Sequence, residues 1–202
     1  MVITSILLIG GSFAAFAILH SLTAGAVVRD RLAGVFNAPV IHGVYRLAYN
    51  VVSVLIFLLP LALVALLPDT TVYQAKPPIS FVLIAIQLIG ASGVVIALLQ
   101  TDLLSFAGLR QLVVLLSGGD PADERPRLQT GGFYRWTRHP LYVFSLLAIW
   151  PLPVMTFNIL IFNISATLYF AFGSIVEERR LENVFGDEYR EYKKRVGWLG
   201  AK

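Results

Sequence analysis

Cysteine is absent from the 202 residues, which excludes disulfides, thiolate metal sites and cysteine nucleophiles and leaves the redox compartment open. Charge is scarce as well. Asp, Glu, Lys and Arg make up 14% of the chain, where a soluble domain of this size carries about 25%. Histidine occurs only at positions 20, 42 and 139, with no HxxxH, HxxE or carboxylate cluster at metal-ligand spacing, so no metal is expected. There is no G-x-S-x-G elbow, no plausible Ser/His/Asp set, and no strand for a G-x-G-x-x-G turn to follow.

What is abundant is apolar. Hydrophobic residues reach 57% and the mean hydropathy is +0.75, so the sequence reads as an all-α polytopic membrane protein. A single unit over residues 1–202 is expected, with three spans in 1–100 and two short spans with an amphipathic tail helix in 101–202. The net charge of +4 suits anionic lipid head groups. Nucleic acid is not indicated, because the basic residues are mixed with acids beside apolar runs.

A membrane-crossing helix needs about 20 mostly apolar residues. Runs of that kind lie near 2–23, 46–67 and 79–99. The first lacks a basic n-region and is too long for a signal-peptide core, so it reads as a retained span. The apolar region from about 140 to 175 is broken by WPLPVMTFN, where Pro151 and Pro153 remove donors and favour a turn. It divides into two short spans, whose brevity suggests a re-entrant or tightly packed hairpin that does not cross fully. About five spans are therefore expected.

Basic residues in short loops set the orientation. Arg29, Arg31 and Arg46 follow the first span; Arg110, Arg125, Arg127, Arg135 and Arg138 follow the third. The intervening loop holds only Lys76 opposite Asp69, and the tail through Lys202 is basic. The N-terminus is expected outside and the C-terminus in the cytoplasm, as in a bacterial inner membrane. The polar loop 117–132 is a linker or lid candidate. Beyond the last span, EERRLENVFGDEYREYKKRV is amphipathic. Leu181, Val184 and Phe185 share one side, Tyr189, Tyr192 and Val196 share another, and a break is expected at Gly186 between them.

Two polar clusters flank the last two spans at their cytoplasmic ends: GGFYRWTRHPLY, and the EERRL tail. A short hairpin brings such ends together, so that His139 and Tyr142 face Glu177 and Glu178. Carboxylates can hold an ammonium group or a ribose diol, and rings can stack an adenine or face a sulfonium. These are the demands of S-adenosylmethionine. An anchoring role stands beside that reading. Arg135 and Arg138 can snorkel to phosphates, Tyr134, Trp136 and Tyr142 can form an aromatic belt, and Glu177 and Glu178 can be the acidic first turn of a tail helix. The residues alone leave both open, and belts outnumber sites.

The pair TGGFYRWTRHPLY and EERRLENVFGDEYREYKKRV, with the PVMT hairpin between, resembles the membrane methyltransferase superfamily of isoprenylcysteine carboxyl methyltransferases and phospholipid methyltransferases. The PVMT, EER and FAGLRQ stretches are most similar to bacterial methanethiol S-methyltransferases. The N-terminal half, with LHSLTAGAVVRDRL and YRLAYNVVS, also resembles NnrU-type proteins. Where the isoprenylcysteine branch tends to carry an arginine before the paired glutamates, this chain has FAFGSIV.

The resemblance implies an S-adenosylmethionine site made of Tyr134, Arg138, His139, Pro140 and Tyr142 from the first motif. Glu177, Glu178, Leu181, Gly186, Tyr189 and Tyr192 come from the second. It implies methyl transfer to a small or lipophilic acceptor, a thiol first among them. An acceptor thiol must become a thiolate to attack well. Arg110 or Arg138 could stabilise that thiolate, or His139 could take its proton, although Arg110 serves equally as a phosphate contact. The NnrU likeness implies a rival, a haem protein using His20 or His42 with His139. A non-enzymatic scaffold, with both motifs as anchors, is the third reading.

Overall fold

A computed structural model describes residues 2–123, 127–198 and 200. Arg125, Lys202 and the middle of the 117–132 loop, all used in the expectations above, lie outside the described residues. Four helices are long and apolar enough to cross a membrane: α1 (Val2–Thr23), α3 (Ala38–Leu66), α4 (Ile79–Leu99) and α8 (Phe157–Phe185). Between them lie α2 (Ala26–Val35), α5 (Leu103–Ala107), α6 (Leu109–Leu116) and α7 (Pro140–Ile149), and α9 (Asp187–Arg195) closes the chain. No strand is expected from the sequence. The structure nevertheless has a small antiparallel pair, β1 (Thr71–Gln74) with β2 (Val154–Thr156), at the end opposite the basic loops. The protein is an all-α polytopic integral membrane protein.

The two expected short spans are unequal. α8 runs for 29 residues, about 44 Å at 1.5 Å per residue. α7 has only 10, about 15 Å, and residues 150–153 continue it without helix. Non-helical backbone at membrane depth is tolerated only where its polar groups find partners. Here they do. Asn163 Nδ2 donates to Ile149 O at 2.6 Å, the Leu152 amide to Trp150 O at 2.8 Å, Tyr73 Oη to Leu152 O at 3.0 Å and the Ala75 amide to Pro153 O at 2.8 Å. Pro151 and Pro153 have no amide hydrogen to satisfy. The prolines that break the helix thus also lighten the demand on the segment that replaces it.

α7 lies tightly along α4 because α4 presents glycine there. A Cβ on Gly90 would stand 2.5 Å from the Ala148 amide nitrogen, and one on Gly93 would enter the Phe144 ring. Small residues at such a crossing let two helices approach closely without a hydrophobic drive. Where α1, α3 and α8 meet, Phe13, Phe16 and Ala166 are buried among Phe57, Phe162, Tyr169 and Phe170. Phe13 meets Phe162 edge-on at 5.3 Å, a favoured aromatic geometry.

The tail departs from the expected interfacial helix. α8 continues through Glu177 and Glu178 to Phe185, and Gly186, at φ 56°, turns the chain into α9. An acidic first turn at Glu177–Glu178 is therefore excluded. Leu181 and Phe185 pack with Tyr189, Tyr192, Val196 and Leu128, whereas Val184, expected beside them, is exposed. Leu128 thus fastens the C-terminal end of the 117–132 loop to the tail.

Candidate cofactor site

Two elements carry the site: the first turn of α7 and the last turns of α8. His139 is the residue before α7, whose first position is Pro140, where a missing amide hydrogen costs nothing. The turn ahead of it is fixed at both ends. The Phe133 amide donates to Gln100 Oε1 at 2.9 Å, and Gly132, at φ 58°, lies against that same side chain. On the far side, Thr137 Oγ1 donates to Trp198 O and in turn accepts from the His139 amide at 3.2 Å.

His139 is buried, 5% exposed, and its two ring nitrogens face the two glutamates. Nε2 lies 3.1 Å from Glu178 Oε1 and Nδ1 lies 3.6 Å from Glu177 Oε2. Tyr142 Oη donates to Glu177 Oε2 at 2.6 Å. The His139 and Tyr142 rings are parallel within 4° at 5.2 Å, and Tyr142 stacks in turn on Phe170 at 4.8 Å. The expected meeting of His139 and Tyr142 with Glu177 and Glu178 is present.

Arg138 turns inward, where an anchoring arginine would reach out to phosphates. Its Nε and Nη2 both lie 2.8 Å from Glu178 Oε1, and Nη1 donates to Val196 O at 2.8 Å. Its guanidinium thus ties α8 to the end of α9. Lys193 joins the same network, 3.0 Å from Glu178 Oε2 and 2.7 Å from Glu182 Oε1. Those hydrogen bonds, to Glu182 first and then Glu178, raise the Lys193 pKa above its ordinary value. Trp136, by contrast, is 63% exposed, as a belt residue should be. The motif is divided, with an outer face for the membrane and an inner face for the carboxylates.

The remaining expected residues take separate places. Tyr192 Oη donates to the Tyr134 carbonyl at 2.6 Å, so these two brace the site. Burial pushes the Tyr192 phenol up to about 12 and raises Tyr134 further, with Glu177 adding to the effect. Tyr189 is buried, and its Oη has no partner among the described residues. Burial and then the nearby Glu178 raise its pKa. Leu181 supplies apolar packing beneath them. Arg110 stands apart, paired with Asp102 at 3.0 Å on the α5–α6 corner. His20 also stands apart, between Ser53 Oγ at 3.0 Å and Tyr49 Oη at 2.8 Å.

Arg138, Ser174, Glu178, Glu182, Lys193 and Trp198 line a cleft of about 320 Å³ beside this cluster, within the usual range for small-molecule sites. Lys193, Thr137 and Trp198 were not foreseen. WLG near the end of the chain carries no periodic signal, and only the fold brings the Trp198 ring to 5.9 Å from His139. The donor set fits a cationic amino acid. Glu177 is a third exposed, and among the described residues only its Oε2 is engaged in a hydrogen bond, with none at Oε1. The orphaned Tyr189 hydroxyl is a second unfilled polar position.

The phospholipid methyltransferase family matches residues 89–188, a range that includes α7 and both glutamates. Methanethiol S-methyltransferase from Pseudomonas deceptionensis is 32% identical over 185 residues, 91% of this chain and 68% of that protein. Methanethiol S-methyltransferase 1 from Bradyrhizobium diazoefficiens is 32% identical over 187 residues, 92% of this chain and 63% of that protein. The Mycobacterium tuberculosis methanethiol S-methyltransferase is 41% identical over 92 residues, 46% of this chain and 37% of its own length. The chain thus spans about two thirds of the length of the first two. No solved structure matches it. The first two alignments run through the N-terminal spans as well as the motif pair, and the chain belongs to the family of membrane methyltransferases that includes these proteins.

Proposed function

We propose that the protein transfers a methyl group from S-adenosylmethionine to a small thiol at the cytoplasmic face of a bacterial inner membrane, with its N-terminus outside. The observation that carries this reading is the His139–Tyr142–Glu177–Glu178 cluster, with one carboxylate oxygen unengaged. When bound, S-adenosylmethionine supplies an electrophilic methyl group on a sulfonium. Glu177 Oε1 would hold the ammonium end, and His139 and Tyr142 keep that carboxylate oriented. Trp198 helps enclose the cleft. Arg138 acts as a positioning residue, because its donors already serve Glu178 and the Val196 carbonyl. Arg110 is more simply a corner clamp through Asp102.

Positioning and exclusion of water supply much of the acceleration in such a displacement. The names of the relatives favour a thiol acceptor. Lipid-like acceptors remain the comparison class, as the family match suggests. In the haem reading, His20 or His42 would act with His139 as axial ligands. For His20 and His139, both ring nitrogens already face protein partners, which disfavours it.

The test is purified protein in lipid nanodiscs with methyl-labelled S-adenosylmethionine and a panel of alkanethiols, prenylcysteines and phospholipids. Label in the thioether product is expected. Label only in lipid would overturn the thiol assignment, and no label in any product despite cofactor binding would overturn the enzyme assignment.

A further inference from the structure

A second polar cluster lies at the cytoplasmic end of α1 and belongs to no part of the cofactor site. His20 Nδ1 lies 3.0 Å from Ser53 Oγ, and Tyr49 Oη lies 2.8 Å from His20 Nε2 and 3.0 Å from Nδ1. A titratable group on a membrane-spanning helix, facing other helices, is costly to keep and marks function by default. Among the described residues no carboxylate pairs with His20. Its titratable neighbours are Tyr49 on α3 and Tyr169 on α8, with Arg180 of α8 within electrostatic reach. On α2, Arg29 and Asp30 satisfy each other. Tyr45 is occupied by the Thr23 carbonyl and Arg46 by the Phe106 carbonyl.

Aromatic contacts join this cluster to the cofactor site. His20 meets Tyr169 at 6.1 Å, Tyr169 meets Phe170 at 5.7 Å and Phe170 stacks on Tyr142 at 4.8 Å. α8 supplies the space between them. Tyr169, Gly173, Glu177 and Arg180 follow at helical spacing along one face. Gly173 is the small member, and a Cβ built on it would meet nothing within 4 Å. Arg180 bounds the notch, donating to the Ala24 carbonyl at the end of α1 at 3.2 Å.

We propose that the methyl acceptor sits in the notch at Gly173, and that Tyr49 and His20 take its proton. This assignment rests on the thiol methyltransferase reading and adds the acceptor side to it. With His20 Nδ1 protonated and donating to Ser53, Nε2 accepts from Tyr49. The acceptor S–H gives its proton to Tyr49 Oη as the Tyr49 proton passes to His20 Nε2. The freed sulfur pair forms the S–CH3 bond. The bond from methyl to sulfonium breaks, and its pair stays on the departing sulfur, which becomes a neutral thioether. Imidazolium at His20 then returns its proton to water.

The test compares two acceptors, a simple alkanethiol and an aromatic thiol that is already ionised at neutral pH. In His20→Gln, which keeps a hydrogen-bonding side chain, turnover of the alkanethiol should fall about 100-fold, as expected for a lost general base. Turnover of the aromatic thiol should change by less than about threefold, since no proton needs removing. The variant's alkanethiol rate should climb with pH up to the ionisation of the thiol itself, whereas the wild type levels off earlier.

Gly173→Leu should raise the KM for the alkanethiol at least about tenfold and leave calorimetric affinity for S-adenosylmethionine intact. Equal losses with both thiols in His20→Gln would overturn the base assignment. An unchanged KM in Gly173→Leu, or a matching loss of cofactor affinity, would overturn the notch. If the wild-type protein methylates neither thiol, the thiol reading fails and this assignment fails with it. Equal losses in a variant of an active enzyme defeat this assignment alone.

Discussion

The Tyr142 hydroxyl donates to Glu177 Oε2 across 2.6 Å, joining the first turns of α7 to the C-terminal part of α8. It links the two halves of the motif, and it engages one carboxylate oxygen while the other has no partner among the described residues. A hydrogen bond to a charged group contributes about 1.5–3 kcal/mol. Tyr142→Phe should weaken S-adenosylmethionine binding by about 10- to 100-fold by that measure, read by calorimetry in nanodiscs. Affinity within a factor of two of wild type would show that this link does not orient the carboxylate.

Glu178 is the hub of the charged network, with Arg138, His139 and Lys193 all converging on it. The Arg138 and Glu178 side chains are only 10% and 14% exposed. Removing one partner of so enclosed a pair costs about 3–5 kcal/mol, because the other charge is left unpaired. Glu178→Ala should therefore lower the unfolding midpoint in detergent markedly. Asp187→Asn, which breaks the exposed pair with Arg190, should stay within about 0.5 kcal/mol of wild type.

At the opposite end, Asp69 accepts from the Thr70 and Asn158 amides at 2.8 and 3.0 Å and so receives the start of α8. Partial burial works to raise its pKa, but the hydrogen bonds from Thr156 and from these amides outweigh it and hold the carboxyl below the usual range. Its stabilising contribution is therefore fully present above the unfolded pKa of about 3.9 and is lost as pH falls through the lower folded value. Asp69→Asn should flatten this part of the acid-denaturation profile of the purified protein. A profile parallel to that of the wild type would contradict the assignment.

The close approach of α4 and α7 depends on glycine. Gly90→Ala would set a methyl group 2.5 Å from the Ala148 amide nitrogen, so the helices must part. Overpacking of this kind costs about 1–3 kcal/mol. Because α7 carries Tyr142, cofactor affinity should fall along with the unfolding midpoint. At Gly173, where a Cβ has open space, alanine should leave the midpoint unchanged.

Much of this was legible in the chain. The spans of α1, α3 and α4 are long apolar runs, and local hydropathy is sufficient to find them. Gly186 was readable as a break because glycine tolerates a positive φ. The lengths of α7 and α8 were not. A stretch interrupted by Pro151 and Pro153 can break symmetrically or can place all its irregular backbone on one side. That choice depended on Asn163 and Tyr73, which come from other elements and accommodate the freed carbonyls. The division of YRWTRHPLY was likewise hidden, because composition does not distinguish an arginine facing phosphate from one facing Glu178.

By itself the sequence determined that the protein lives in a membrane, which ends of its helices are basic, and that two motifs matter together. Those properties are carried by transfer free energy and by residue types at fixed local spacing. Only the tertiary structure decided which side chains meet. It turned Arg138 inward, brought Trp198 to His139, and aligned His20 with Tyr49 at the far end of an aromatic run. Contacts between helices depend on how closely backbones approach and on which polar groups must be satisfied, and neither quantity is contained in any single segment.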